Sequence, residues 1–164
     1  LSSGFLSADI TNSQTSATLL PSGIGNQEYE ASGYLNIGGN EIVSFTRSGD
    51  VLTIVRAQLG TTASEHKAQD RIQTVLRYSG EDVAYIISDL LQTYAGVPPG
   101  YINLASWQAE TAAFLGTVYT GTICEPTSVA TLVSELIEQA AETINMASPR
   151  PDPPVRSRSG PPRR

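Results

Sequence analysis

One cysteine (Cys124), one histidine (His66) and one tryptophan (Trp107) serve a chain of 164 residues. A lone cysteine excludes an internal disulfide and any Cys-rich metal site. A lone histidine excludes His-His and His-Cys ligand sets, and it leaves a Ser/His/acid triad with a single candidate base. Neither a Gly-x-Ser-x-Gly elbow nor a Gly-x-x-x-x-Gly-Lys-Ser/Thr phosphate loop occurs. No apolar run approaches the roughly 18 residues that span a bilayer, and no charged segment precedes an apolar core at the start.

Basic residues are scarce where a fold could form. Residues 1–147 carry fifteen acids against five bases, Arg47, Arg56, Lys67, Arg71 and Arg77, whereas residues 148–164 carry five Arg, one Asp and six of the ten prolines. An acidic body lacks the cations that phosphate contacts need, so nucleic acid is not an expected partner. The tail has one aliphatic residue, Val155, and its composition predicts disorder or polyproline II from about residue 147, as a linker or a sequence foreign to the fold in preference to a basic arm for nucleic acid or a membrane surface. A start at Leu1 with no clean opening is expected of a piece of a longer protein.

What the chain does have is punctuation. From Gly33 to Tyr78, short runs of Ile, Val, Leu, Thr and aromatics alternate with Gly, Asn, Asp and Ser, the pattern of a tightly turned antiparallel meander. Leu35 and Ile37 share a face. Gly38-Gly39-Asn40 supplies the reversal, and Glu41 to Arg47 follows with Val43 and Phe45 on one face. Glu41 and Arg47 at the ends of that face predict that only its centre is buried. Ser48-Gly49-Asp50 turns the chain into Val51 to Arg56, whose two apolar faces predict the central strand. Closure against Ile72 to Tyr78 and an N-terminal pair is needed, because strands this short are marginal alone. That pair is expected at Ala8 to Thr11 and Ala17 to Leu20, with Gly23 to Ser32 as loop.

After Tyr78 the apolar period changes. Ser79, with Asp82 three residues on, predicts a helix start, and Val83, Ile86, Ile87, Leu90, Leu91 and Tyr94 form one stripe that ends at Gly96 and Pro98-Pro99. Asn103 predicts the N-cap of a second helix through Leu115, with Trp107 as a core residue. Thr117 to Cys124 alternates as a strand in which Cys124 is expected buried and inert. Thr127 predicts the cap of a last helix carrying Val129, Leu132, Val133, Leu136, Ile137, Ala140, Ala141 and Ile144 on one side. The expected fold is α+β: an antiparallel meander or partial barrel over 8–78, a helix-helix-strand-helix lobe over 79–146, and the tail.

The residues Gly33, Leu35, Ile37, Gly38, Glu41, Ile42, Thr46, Leu52, Thr53, Arg56, Gln58, Gly60, Thr61, Thr62, Ala63, His66 and Asp70 stand in the order of a module that recurs in tail-tip hub proteins of long-tailed bacteriophages and prophages. The chain resembles that module over roughly 8–144, most closely over 33–78. It departs by one extra residue, Gly39 or Asn40, and by Ala57 and Gln69 where the pattern has Gly, residues that accept positive φ poorly. The resemblance implies a non-enzymatic structural part of the tail tip or baseplate of a phage particle, assembled in the host cytoplasm, with other tail-tip proteins and ring-like copies of itself as partners. No cofactor, metal or small-molecule substrate is expected.

Arg56, Gln58, Thr61, Thr62, His66 and Asp70 are the candidate protein-contact loop, because their side chains hydrogen-bond and have little reason to form core. His66 reads otherwise as a turn or packing residue, and Glu41 as the partner of Arg47 or Arg56 in a cross-strand ion pair. Glu81 and Asp82 are a helix start rather than a carboxylate pair. The alternative function is a carbohydrate or cell-wall binding module that stacks sugars on Tyr29, Tyr34, Tyr101, Trp107 or Tyr119, and a third is a hydrolase whose catalytic domain lies beyond this sequence.

Overall fold

The computed structural model describes residues 2–125 and 127–147, so the predicted tail and Pro126 lie outside the described residues. In chain order the elements are β1 (Phe5–Leu6), β2 (Ser16–Leu20), α1 (Ile24–Glu28), β3 (Ser32–Ile37), β4 (Glu41–Ser48), β5 (Val51–Val55), β6 (Ile72–Glu81), α2 (Val83–Asp89), α3 (Leu104–Phe114), β7 (Tyr119–Ile123) and α4 (Val129–Ala147). The fold is α+β. Seven strands form one antiparallel sheet in the order β1-β2-β5-β4-β3-β6-β7.

The meander is built as its turns dictate. β3 and β4 reverse through Gly38 and Gly39, both at positive φ (61° and 80°), and pair from Ile37 with Glu41 to Ser32 with Thr46. Leu35, Ile37, Val43, Phe45, Leu52 and Ile54 point inward with Leu6, Ile10, Leu19, Ile24 and Ile72, and form a closed apolar core. Burying each such side chain contributes about 1.5–3 kcal/mol before entropy is counted. β5 is buried on one face only, since Val51 and Val55 are exposed, and β4 takes the middle place in the sheet. Two apolar faces misplaced the centre because β-branched residues suit an exposed strand face as well as a buried one.

The sheet curls back on itself. Residues 4–10 run antiparallel to 66–72: Leu6 N–H donates to Asp70 O (2.8 Å), Ile72 N–H to Gly4 O (2.9 Å), and Ile10 and His66 exchange both backbone bonds (2.9 and 3.0 Å). The first strand is therefore Phe5–Leu6 rather than Ala8 to Thr11, where Ile10 makes only a bridge. The second strand lies where expected, at Ser16–Leu20.

Gly23 to Ser32 is not all loop, because α1 forms there. Its cap comes from a distant turn: the Asp50 carboxylate accepts from Gly23 N–H (2.6 Å) and Gly25 N–H (2.8 Å). A Cβ on Gly25 would meet Gly49 O at a clashing distance, so only glycine lets α1 seat on the β4–β5 turn.

β6 runs on through Ser79 to Glu81, and Asp82 takes the N-cap of α2 by accepting from Ala84 N–H (2.8 Å). The expected cap at Ser79 fails because the pairing of β6 with β7 holds Ser79 in the strand, opposite Thr120. α2 passes into a π-helical turn, Leu90–Tyr94, which ends before Gly96 at φ 69°. Asn103 caps α3 as expected (3.2 Å from Ser106 N–H), and Ser128, not Thr127, accepts from Thr131 N–H (3.1 Å) at the start of α4.

Tyr78, Ile86 and Leu90 make a second, smaller core against Tyr119, Ile123, Leu132, Val133 and Leu136. α3 contributes no buried residue, and Trp107 and Cys124 are half-buried rather than core. No described helix is long and apolar enough to cross a membrane.

Candidate functional site

Glu41 opens β4 with its side chain fully enclosed (0% exposed). A carboxylate in that position needs donors on every lone pair. Five reach it. Arg56 grips it with two parallel bonds, Nε to Oε1 (2.8 Å) and Nη2 to Oε2 (2.7 Å). Ala57 N–H adds to Oε1 (3.0 Å), and Ser64 N–H (2.9 Å) and His66 Nε2 (3.0 Å) add to Oε2. Burial pushes the Glu41 carboxyl up, but Arg56, the two backbone N–H groups and His66 outweigh it and bring it down to about 2. The centre of this strand face is buried as expected, but burial also reaches the Glu41 end, which is the most enclosed acid among the described residues.

Each expected contact residue can now be placed. Arg56 is nearly buried, and beyond Glu41 it donates through Nη1 to Thr11 O (2.6 Å) and Gln14 O (3.1 Å) and through Nη2 to Ser64 O. Gln58 N–H donates to Ile42 O (2.8 Å). Thr61 Oγ1 accepts from Ile42 N–H (3.0 Å) and donates to Gln58 O (2.8 Å). His66 is 1% exposed. Asp70 accepts from Lys67 N–H (2.9 Å) and lies 3.5 Å from His66 Nδ1. Thr62 alone of the six is exposed. Arg56, Gln58, Thr61 and His66 therefore tie the 57–70 loop to β4 and to the N-terminal segment. Arg47, the other candidate partner of Glu41, points instead to Tyr29 O, Glu30 O and Asn26 Oδ1 at the end of α1.

Ser64, His66 and Asp70 fall in line, yet the geometry does not suit a nucleophile and its base. Ser64 Oγ is 3.4 Å from His66 Nε2, which Glu41 already engages at 3.0 Å, and the ring is sealed from solvent. Glu41 is an acceptor only, so Nε2 is the donor towards it, and Nδ1 has no hydrogen-bond partner. Among the described residues no cluster of three His, Cys, Asp or Glu is placed to hold a metal ion.

The aromatic residues of the sugar-stacking alternative do not assemble into one platform. Tyr29 is buried, donating to Ile72 O (2.7 Å) and accepting from Gly4 N–H (3.0 Å). Tyr34 lies under Arg77, whose guanidinium carbon is 5.7 Å from its ring centre. Tyr119 packs in the second core, and Tyr101 stands out in solvent. Two open grooves flank the second core, one of about 500 Å³ between β7 and α4 and one of about 410 Å³ between β6 and α4.

Sequence reasoning missed Ser64, whose backbone N–H and carbonyl both serve the buried pair, and Asp50, which caps α1 across the fold. Backbone roles leave no trace in side-chain patterning. No family model, curated protein or solved structure with which the chain was compared matches it.

Proposed function

We propose that the chain is a non-enzymatic structural part of the tail tip of a long-tailed phage or prophage-derived particle, working through contacts with other tail-tip proteins. The observation that carries this reading is the ordered series from Gly33 to Asp70, several of whose members interlock. Glu41 receives Arg56 and His66, Ile42 N–H donates to Thr61, and Gly38 lies so near that a Cβ there would come within 3.1 Å of His66 Nδ1 and 3.2 Å of Asp70. Members that meet in one three-dimensional lock are a stronger basis for resemblance than scattered identities. The lock also anchors the 57–70 loop through Arg56, Thr61 and His66, and an anchored surface loses less entropy on assembly.

Cryo-electron microscopy of the intact particle tests the reading. Density for this fold at the tip of the tail is the expected result. Density confined to the capsid, the neck or the tail tube would overturn it, as would absence of the chain from purified particles.

A further inference from the structure

We propose that the groove between β7 and α4 holds the chain's own Arg- and Pro-rich tail, residues 150–158 folding back from the end of α4. The inference stands on the groove and its charge, and not on the tail-tip reading. The groove holds about 500 Å³. Along one wall α4 sets Leu132, Glu135, Leu136 and Gln139 at the i, i+3, i+4 and i+7 spacing of one helix face, and along the other Tyr119 to Glu125 follow without a gap. Tyr119, Ile123, Leu132 and Leu136 are only partly buried, so both walls leave apolar surface uncovered. Glu125 and Glu135 stand exposed beside them, and no Lys or Arg lines the groove. Its occupant must be cationic as well as apolar, which turns away the acidic body of a second copy.

The tail answers both demands. Residues 148–164 carry five Arg against one Asp, with six prolines among them. Proline-rich segments dock in aromatic-lined grooves as polyproline II, a form set in advance that loses little entropy on binding. Three residues make one turn of that form, so Arg150, Pro153 and Arg156 would share one edge, and Pro151 and Pro154 the next. Proline removes donors and leaves carbonyls, while β7, paired only with β6, has N–H groups to offer along its other edge. Attachment supplies the rest. Gln139 stands just over two turns before Ala147, about 12 Å along the helix, and the extended tail spans up to about 50 Å. A tethered segment meets its groove at an effective concentration of about 1 mM, so contacts too weak to recruit a free peptide suffice.

Nuclear magnetic resonance of the full 164-residue chain is the test. At low salt Val155, Arg156 and Arg158 are expected to show the restrained backbone of a docked segment by heteronuclear Overhauser effect. They should lose it at roughly 1 M salt, where screening shortens the reach of charge to about 3 Å. Arg150→Gln, Arg156→Gln and Arg158→Gln together are expected to free the tail and to shift the amides of Thr120 to Thr122 and of Gln139. Glu125→Gln with Glu135→Gln should free it from the groove side, whereas Glu138→Gln, on α4 but outside the groove, should leave it bound. A tail unrestrained at low salt, groove amides indifferent to the Arg substitutions, or an equal loss with Glu138→Gln overturns the proposal. Restraint that grows with protein concentration overturns it too, because the tail then lies on a second copy. Should the Glu variants fail to fold, the Arg variant decides alone.

Discussion

Ala57 donates its backbone N–H to Glu41 from a left-handed conformation, φ 56°, one residue after the arginine that grips the same carboxylate. The side chain opposes that conformation by about 1–2 kcal/mol, and the buried bond holds it there regardless. Ala57→Gly relieves the opposition while adding roughly 0.4–1 kcal/mol of unfolded-chain entropy. The expected net is a stabilisation of about 0.5–1 kcal/mol, read as a higher denaturation midpoint in urea. Gln69, at φ 74°, is expected to respond to Gly in the same direction.

Removing Glu41 strands a guanidinium. Glu41→Ala leaves Arg56 nearly buried without its counter-charge, and also frees the N–H groups of Ala57 and Ser64. A loss on the order of 3 kcal/mol or more is expected. The exposed pair of Lys67 with Asp9 (2.8 Å) offers the comparison: Lys67→Ala should leave the urea midpoint within error.

Acid should unfold the protein over a defined window. Glu41 sits near 2 in the fold against 4.5 as its ordinary value, so the folded state binds this proton less readily than the unfolded one. That stability is complete above about pH 4.5 and is lost as pH falls towards 2. Asp50, lowered by the N–H groups of Gly23 and Gly25, adds in the same direction. Urea midpoints taken from pH 6 down to pH 2 are expected to fall steadily below 4.5, and Asp50→Asn to make the fall shallower.

The helical lobe hangs on Asp82. Oδ1 caps α2, while Oδ2 accepts from Thr111 Oγ1 of α3 (2.6 Å). Since α3 buries no side chain of its own, this bond is a principal hold upon it. Asp82→Ala is expected to cost about 1–2 kcal/mol and to speed amide exchange in Leu104–Phe114 more than in β3 or β4.

Tyr78 joins the sheet to α2 by donating to Asp89 Oδ2 (2.7 Å), and burial, reinforced by that carboxylate, pushes its phenol well above the ordinary range. Tyr78→Phe is expected to cost about 1.5–3 kcal/mol, with the loss seen in the second core's near-ultraviolet signal.

Elements with strong local patterning were legible in advance. The β3–β4 reversal needs Gly38 and Gly39, the α2 stripe from Val83 to Leu90 repeats at helical spacing, and Asn103 caps as its chemistry requires. The misses share a cause, which is that distant partners outweighed local preference. Ser79 looks like a cap, but β7 holds it in a strand. α1 has no local signal because its anchor is Asp50, and Ala8 to Thr11 yields to Phe5–Leu6 because pairing with residues 66–72 sets the register. The polar loop read as an outward surface for a similar reason. Arg56, Gln58, Thr61 and His66 look solvated in isolation, and it is the enclosed acid at position 41 that turns them inward.

Ser2 accepts a hydrogen bond from the N–H of Thr74, 72 residues further on, and the pairing of residues 4–10 with 66–72 spans nearly as far. A ribosome translating this stretch releases the opening strand long before its counterpart exists. For some sixty residues of elongation the nascent sheet remains unzipped along that seam, and its long loop closure makes the seam a late step. Mutations that slow translation just before Ile72 would lengthen that interval of vulnerability to proteases and to other nascent chains.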